Sequence, residues 1–274
     1  MAVGGMMAGR AGAMNQHSMV SNGMASNSQA EAEWQARVDL AAAHRLAARF
    51  GYHEAIDNHF TLLVPGHDDR FLLAPHGLHW SEVRASDLMV LGLDGTRHAG
   101  DGLVEDTAFF IHAPVHCAPA RPRCVLHTHM PHATALSMLE DPLLVMASQN
   151  AIGFAGQMAV CDYHGFALGR DEGERMAAAM GDKSVLILRN HGVLTTGASV
   201  AEAFNALYFF ERAAQTQLLA MASGQPLRVV DAAVIDQTFA QYRASEAVGD
   251  ALRIELHFAA LKRTLDRHEP DYAS

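Results

Sequence analysis

The sequence predicts an α/β fold. Three observations carry that prediction: short apolar runs such as Cys124-Val125-Leu126 and Val185-Leu186-Ile187-Leu188, longer segments with apolar residues at helical spacing, and the interleaving of the two along the chain. With 274 residues, 50% of them hydrophobic, the chain can bury one sizeable core.

The elements follow in order. Glu31 to Phe50 is an amphipathic helix, because Trp34, Val38, Leu46 and Phe50 recur at helical spacing among many alanines, and Gly51 stops it. Residues 1–28, rich in Met, Gly, Ala and Ser, hold too few large apolar groups to offset the entropy of ordering, so a disordered extension is expected ahead of a single domain over 29–274. That extension shows no compact apolar core with a cleavage site, which argues against a signal peptide. Asn58 to Val64 is a β-rich strand, Pro65 to Asp69 a turn and Arg70 to Ala74 a second strand, together a hairpin. Ser86 to Gly95 reads as a further strand closing in an Asp-Gly turn.

Phe109 to Cys117 is a helix that ends before Pro119, and the strand after it leads into His127. Pro131 suits the first turn of a helix reaching Leu139. Asp171 to Met180 is a helix ended by Gly181, and Val185 to Leu188 a buried strand before His191. Ser199 caps the long helix Val200 to Met221, whose Ala203, Leu207, Phe210, Ala214 and Leu218 form a core stripe. Val234 to Leu265 is again helical in pattern and ends in a polar tail.

Charge narrows the function. A net charge of −10 without a basic cluster excludes a nucleic-acid partner or an anionic membrane surface and leaves a small molecule as the expected ligand. Cys117, Cys124 and Cys161 are odd in number and lack CxxC spacing, as in reduced thiols of a cytoplasmic protein. No apolar run reaches the roughly 18 residues that span a bilayer.

The chemistry gathers in His127-Thr128-His129 and in Leu188-Arg189-Asn190-His191-Gly192, both at strand ends. Residues i and i+2 of a strand face one side, so His127 and His129 can point at one ion and His191 can complete a facial trio with open positions. In a chain with 17 histidines a chance His-x-His pair is not rare, and a buried histidine is commonly just a hydrogen-bonded core residue. On spacing alone both readings stay open.

The stretches Arg121 to Leu139 (RPRCVLHTHMPHATALSML) and Val185 to Gly197 (VLILRNHGVLTTG) resemble the class II aldolase/adducin family, over roughly Trp34 to Ser223. The resemblance implies a three-layer α/β/α sandwich around a mainly antiparallel central sheet, a homotetramer with active sites near subunit interfaces, and His127, His129 and His191 as ligands of a divalent metal. Zinc is the first choice, with manganese, cobalt or iron as alternatives. It also implies a lyase, breaking a carbon–carbon bond by retro-aldol cleavage or decarboxylation. An epimerase or dehydratase on the same site, or a non-catalytic adducin-like module, are the other readings.

Within the resemblance, the acid/base carboxylate of the sugar-phosphate aldolases follows a serine pair; Gly102 to Ala108 has no such pair, and the family's glutamate falls nearer Ala108 than Glu105. Glu105 is the best remaining candidate and Asp106 the second, unless the carboxylate merely favours a helix N-terminus. Gln149 stands where some aldolases carry a tyrosine acid, so Tyr163 is the candidate substitute, or else a tyrosine that only packs. His132 is either a partner of the metal pair or a polar cap. Asn58, His76 and Gly77 occupy the substrate-binding places. Asp57 would repel a phosphate dianion, while His76, His79 and Trp80 suit an aromatic or carboxylated ligand, so a non-phosphorylated substrate is expected. The C-terminal segment, with Tyr272, is expected to close over the site.

Overall fold

Strands buried on both faces have no solvent side on which to place polar residues, which is why Cys124 to Leu126 and Val185 to Leu188 read as apolar runs without alternation. A computed structural model of the chain describes residues 14–245 and 251–274, with side chains over 27–242 and 251–274. The strands are β1 (His59–Leu63), β2 (Arg70–Leu73), β3 (Met89–Gly92), β4 (Arg97–Ala99), β5 (Cys124–Thr128), β6 (Met158–Cys161), β7 (Val185–Leu188) and β8 (Gly192–Gly197). They form one sheet in the order β4-β3-β2-β1-β5-β8-β7-β6, antiparallel throughout except for the parallel edge pair β6 and β7. The sheet is the mainly antiparallel one expected.

Alternate side chains sort to opposite layers. Phe60, Leu62, Leu126, Ile187 and Val193 face a core with α1 (Met14–Phe50), α3 (Pro131–Ser137), α6 (Val200–Met221) and α8 (Ala251–His268). Val125, Leu186, Leu188 and Leu194 face α2 (Asp106–His116) and α5 (Arg170–Met180). These are the three layers of the sandwich. A Cβ at Gly173 would lie 1.8 Å from the Phe110 carbonyl oxygen, so only glycine lets α5 approach α2 this closely.

Several elements depart from expectation. The first helix begins at Met14 rather than Glu31 and takes in residues 14–28, where an unstructured extension was expected; residues 1–13 lie outside the described residues. Between Met14 and Ser28 there is no proline and one glycine, Gly23, so little opposes backward propagation from the buried stretch Leu40 to Ala47. The single strand expected over Ser86 to Gly95 is a 3-10 turn (Ala85–Asp87), then β3, then a hairpin to β4 in which Asp94 accepts the Thr96 N–H at 2.9 Å. The short helix α4 (Gln149–Ile152) and strand β6 carried no sequence expectation. Of the helical tail, the described residues show α7 (Ala232–Ser245) and α8. Among the described residues no helix is long and apolar enough to cross a membrane.

Candidate metal centre

The candidate site lies on the α2 side of the sheet, at the ends of β1 and β5 where His59 and His127 pair. His127 is the last-but-one residue of β5, His129 follows two residues on, and His191 sits on the tight turn joining β7 to β8. The nitrogens that the three imidazoles offer lie within 4.8 Å of one another, and their ring centres are 4.7–5.1 Å apart. Gly192 makes this approach possible, because a Cβ there would stand 2.5 Å from the Thr128 carbonyl oxygen and 2.9 Å from His129 Cδ2.

The donor set suits a metal. His127 Nδ1–H donates to the Val193 carbonyl at 3.0 Å, which fixes the ring and leaves Nε2 as a lone pair. His129 Nε2 is buried without a hydrogen-bond partner, a costly state for a polar atom that a metal ion would relieve. Burial pushes all three imidazoles below the usual histidine range, His191 to about 4 with the neighbouring His129 adding to the effect. Neutral imidazole is the ligating form.

Asn58 precedes β1 in the left-handed region at φ 74°, which asparagine tolerates. Its Oδ1 accepts the His129 backbone N–H at 3.2 Å, and its buried Nδ2 has no partner. His59 is register partner to His127, with ring centres 4.9 Å apart, and behind it runs a buried polar array. His59 Nδ1 is 2.6 Å from His112 Nε2, His112 Nδ1 is 2.5 Å from Thr61 Oγ1, and Thr61 Oγ1 is 2.8 Å from His116 Nε2. His59 also lines a narrow cavity of about 20 Å³, room for one water or hydroxyl, with Asn58, His76, Trp80 and Glu105. A larger cavity of about 440 Å³ between α4, α6, α7 and α8 is lined by Phe154, Phe209 and Tyr242. None of the three clustered histidines lines either cavity; the smaller one is tied to them through Asn58, which holds the His129 N–H, and His59, whose ring lies beside His127.

The sequence pattern of the class II aldolase and adducin N-terminal domain matches residues 38–218. The chain belongs to the class II aldolase and adducin family. An aldolase II superfamily protein from Pseudomonas syringae has a crystal structure superposing with a TM-score of 0.81 at 39% identity, over 89% of this chain and 96% of that one. The L-fuculose 1-phosphate aldolase of Glaciozyma antarctica gives 0.75 at 25% identity, over 88% and 92%. Alpha-adducin of Rattus norvegicus is 37% identical over 191 residues, 68% of this chain and 26% of its own length.

Against that family background the remaining expected residues separate. Glu105 immediately precedes α2 but makes no capping bond to its backbone; its carboxylate accepts from the Thr107 hydroxyl at 2.6 Å and lies 3.6 Å from His76 Nδ1, at the cavity wall. Gly77 follows His76 at φ 103° and faces open space. Tyr163 is 48% exposed, not packed away, with its ring 6.1 Å from His191. Three expectations are corrected. Trp80 packs against His44 and Phe60 in the core, and His79 is held by His53 and Ser81, so this pair is not a free ligand platform. His132 does not turn to the metal ligands: its ring and backbone N–H both reach Glu211 Oε1. Tyr272 is buried against α1 with its hydroxyl on Asp266 at 2.8 Å, a packed residue rather than part of a mobile flap, and Asp271 beside it pairs with Arg45.

Sequence reasoning missed two groups. Glu211 of α6, itself buried, also accepts the Ala133 N–H at 2.8 Å and so anchors the chain that leaves His129. The array His59, Thr61, His112, His116 was missed too, although its signals were present: His59 and Thr61 at i, i+2 in a strand, His112 and His116 at i, i+4 in a helix.

Proposed function

We propose that the chain is a metal-dependent carbon–carbon lyase that cleaves a bond next to a carbonyl, by retro-aldol reaction or decarboxylation, in a small hydroxy-carbonyl or carboxylate compound without a phosphate. The observation that carries this reading is the convergence of three neutral imidazoles, one with an orphaned buried nitrogen. A divalent ion held by His127, His129 and His191, zinc before manganese, cobalt or iron, supplies the positive charge against which electron density next to a carbonyl is stabilised.

The protein groups around it have separate tasks. Asn58 Nδ2 offers an unused donor to a substrate oxygen, His76 borders the same space, and Gly77 next to it in the chain is the remaining substrate-binding candidate. Glu105 carries protons to and from the reacting carbon or oxygen, supported by its freedom from capping duty. Tyr163 offers a phenol at the open side of His191. The exposed apolar side chains of Tyr163, Phe166 and Leu168, close together in the chain, support self-association into a homotetramer. The free thiols of Cys117, Cys124 and Cys161 suit a reducing cytoplasm.

The adducin relative favours a second reading, a non-catalytic module, and metal analysis separates the two. The purified protein is expected to hold one divalent ion per chain, and His127→Ala, His129→Ala or His191→Ala to lose both the ion and the metal-dependent release of aldehyde or carbon dioxide from a panel of hydroxy-carbonyl and carboxylate compounds. An epimerase or dehydratase would convert such compounds without fragmenting them. A folded protein that takes up no metal would sink the lyase reading.

A further inference from the structure

The polar array behind His59 ends on a group that can only accept, and this fixes every hydrogen along it. The Pro122 carbonyl lies 2.8 Å from His116 Nδ1, so Nδ1–H donates. Burial holds the His116 imidazole neutral, pushing its pKa down to about 4, so its Nε2 is a lone pair and accepts the Thr61 hydroxyl hydrogen. The Val125 carbonyl competes for that hydrogen only from 3.5 Å. Having given up its one hydrogen, Thr61 Oγ1 accepts from His112 Nδ1–H. His112, also kept neutral by burial, turns its Nε2 lone pair to His59 Nδ1–H. Any other tautomer would set two lone pairs or two hydrogens face to face where no water can intervene.

The consequence falls on His59. Its hydrogen is committed to Nδ1, so the lone pair is on Nε2, the nitrogen with no partner among the described residues, on a side chain that lines the cavity with Asn58 and Glu105. Among the described residues only His127, His129 and His191 group at ligand spacing, which leaves His59 outside the metal set. An acceptor at the wall of a space sized for one hydroxyl selects an O–H donor and disfavours another acceptor oxygen.

We propose that His59 is a further substrate-contacting residue whose Nε2 accepts a hydrogen bond from a substrate hydroxyl beside the metal ligands, and that Thr61, His112 and His116 are positioning residues that keep that nitrogen bare. The proposal rests on the lyase reading for the identity of the ligand, but the state of the ring nitrogens does not depend on it.

The test uses the full chain loaded with zinc. Nitrogen-15 NMR of the histidine rings is expected to show His59 as the Nδ1–H tautomer, and Thr61→Val to mix its tautomers. Glycolate and acetate, which differ by one hydroxyl, serve as probes in calorimetry. His59→Asn keeps an N–H for His112 but has nothing at the Nε2 position; it is expected to retain zinc and to narrow the preference for glycolate by about threefold to tenfold, the worth of one hydrogen bond. An Nε2–H tautomer in the zinc-loaded protein overturns the array, and this measurement stands even if Thr61→Val does not fold. An unchanged preference in His59→Asn overturns the substrate contact. A protein that takes up no zinc brings down the lyase reading and the substrate contact with it, while the ring spectrum still decides the array.

Discussion

Acidifying the metal-free protein from pH 7 to pH 5 should cost it stability far more steeply than surface histidines allow. His44 is wedged between Phe60 and Trp80 with Nδ1–H on the Leu40 carbonyl, and His116 lies at the far end of the polar array. Burial pushes each from the ordinary value of 6.5 down to about 4. In the unfolded chain both take a proton near pH 6.5, while in the fold neither does so until about pH 4. Stability is therefore complete above pH 6.5, drains as the pH falls through that window, and levels off below it. The full interval is worth about 3 kcal/mol per residue, and mid-window the pair contributes a slope of about 2.5 kcal/mol per pH unit, against a total of roughly 5–15 kcal/mol for a typical domain. His59, His112 and His127 are displaced the same way, so this slope is a floor. Urea unfolding followed by tryptophan fluorescence, with a chelator present, at pH 7, 6, 5.5 and 5 measures it. His44→Leu should remove about one proton from the slope. A profile that stays flat from pH 6.5 to 5 and declines only where carboxylates titrate would refute the reasoning.

Three further outcomes are expected. Gly192→Ala should keep the fold but weaken metal affinity about tenfold or more, since the added methyl must displace the Thr128 carbonyl or the His129 ring; an unaltered competition titration against a chelating dye would contradict this. Glu105→Gln should retain the metal and lower turnover about 10²-fold, and normal turnover would reduce Glu105 to the residue that happens to precede α2. Phosphorylated sugars should bind at least about fivefold more weakly than their uncharged counterparts, because Glu54 and Asp57 both act on His129 with negative charge; efficient cleavage of L-fuculose 1-phosphate would overturn that.

The trio was legible because its signal is local: an i, i+2 pair at the end of one apolar run and a third histidine at the end of another. The sheet was legible for the same reason, since Cys124 to Leu126 of β5 and Val185 to Leu188 of β7 are buried on both faces and carry no polar interruption. What sequence could not give was direction between elements. Glu105 could be placed before a helix, but whether its carboxylate caps the backbone or faces a cavity depends on His76 and Thr107 in three dimensions. Trp80 looked available beside two histidines until Phe60 and His44 packed on it, and Tyr272 until α1 covered it. The array from His59 to Pro122 draws on β1, α2 and the loop before β5, and no periodicity links those segments.

The three clustered histidines come from strands that are neighbours in the sheet and strangers in the chain. His127 and His129 belong to β5 and its end, His191 to the turn before β8, and α3, α4, β6, α5 and β7 intervene before the two strands pair. The loop must close before the three nitrogens meet, so an ion can be captured only after the slow, entropically costly step of folding is complete. Metal should then leave the refolding rate almost untouched and act as a latch on the way out, lengthening the lifetime of the folded state by slowing its unfolding.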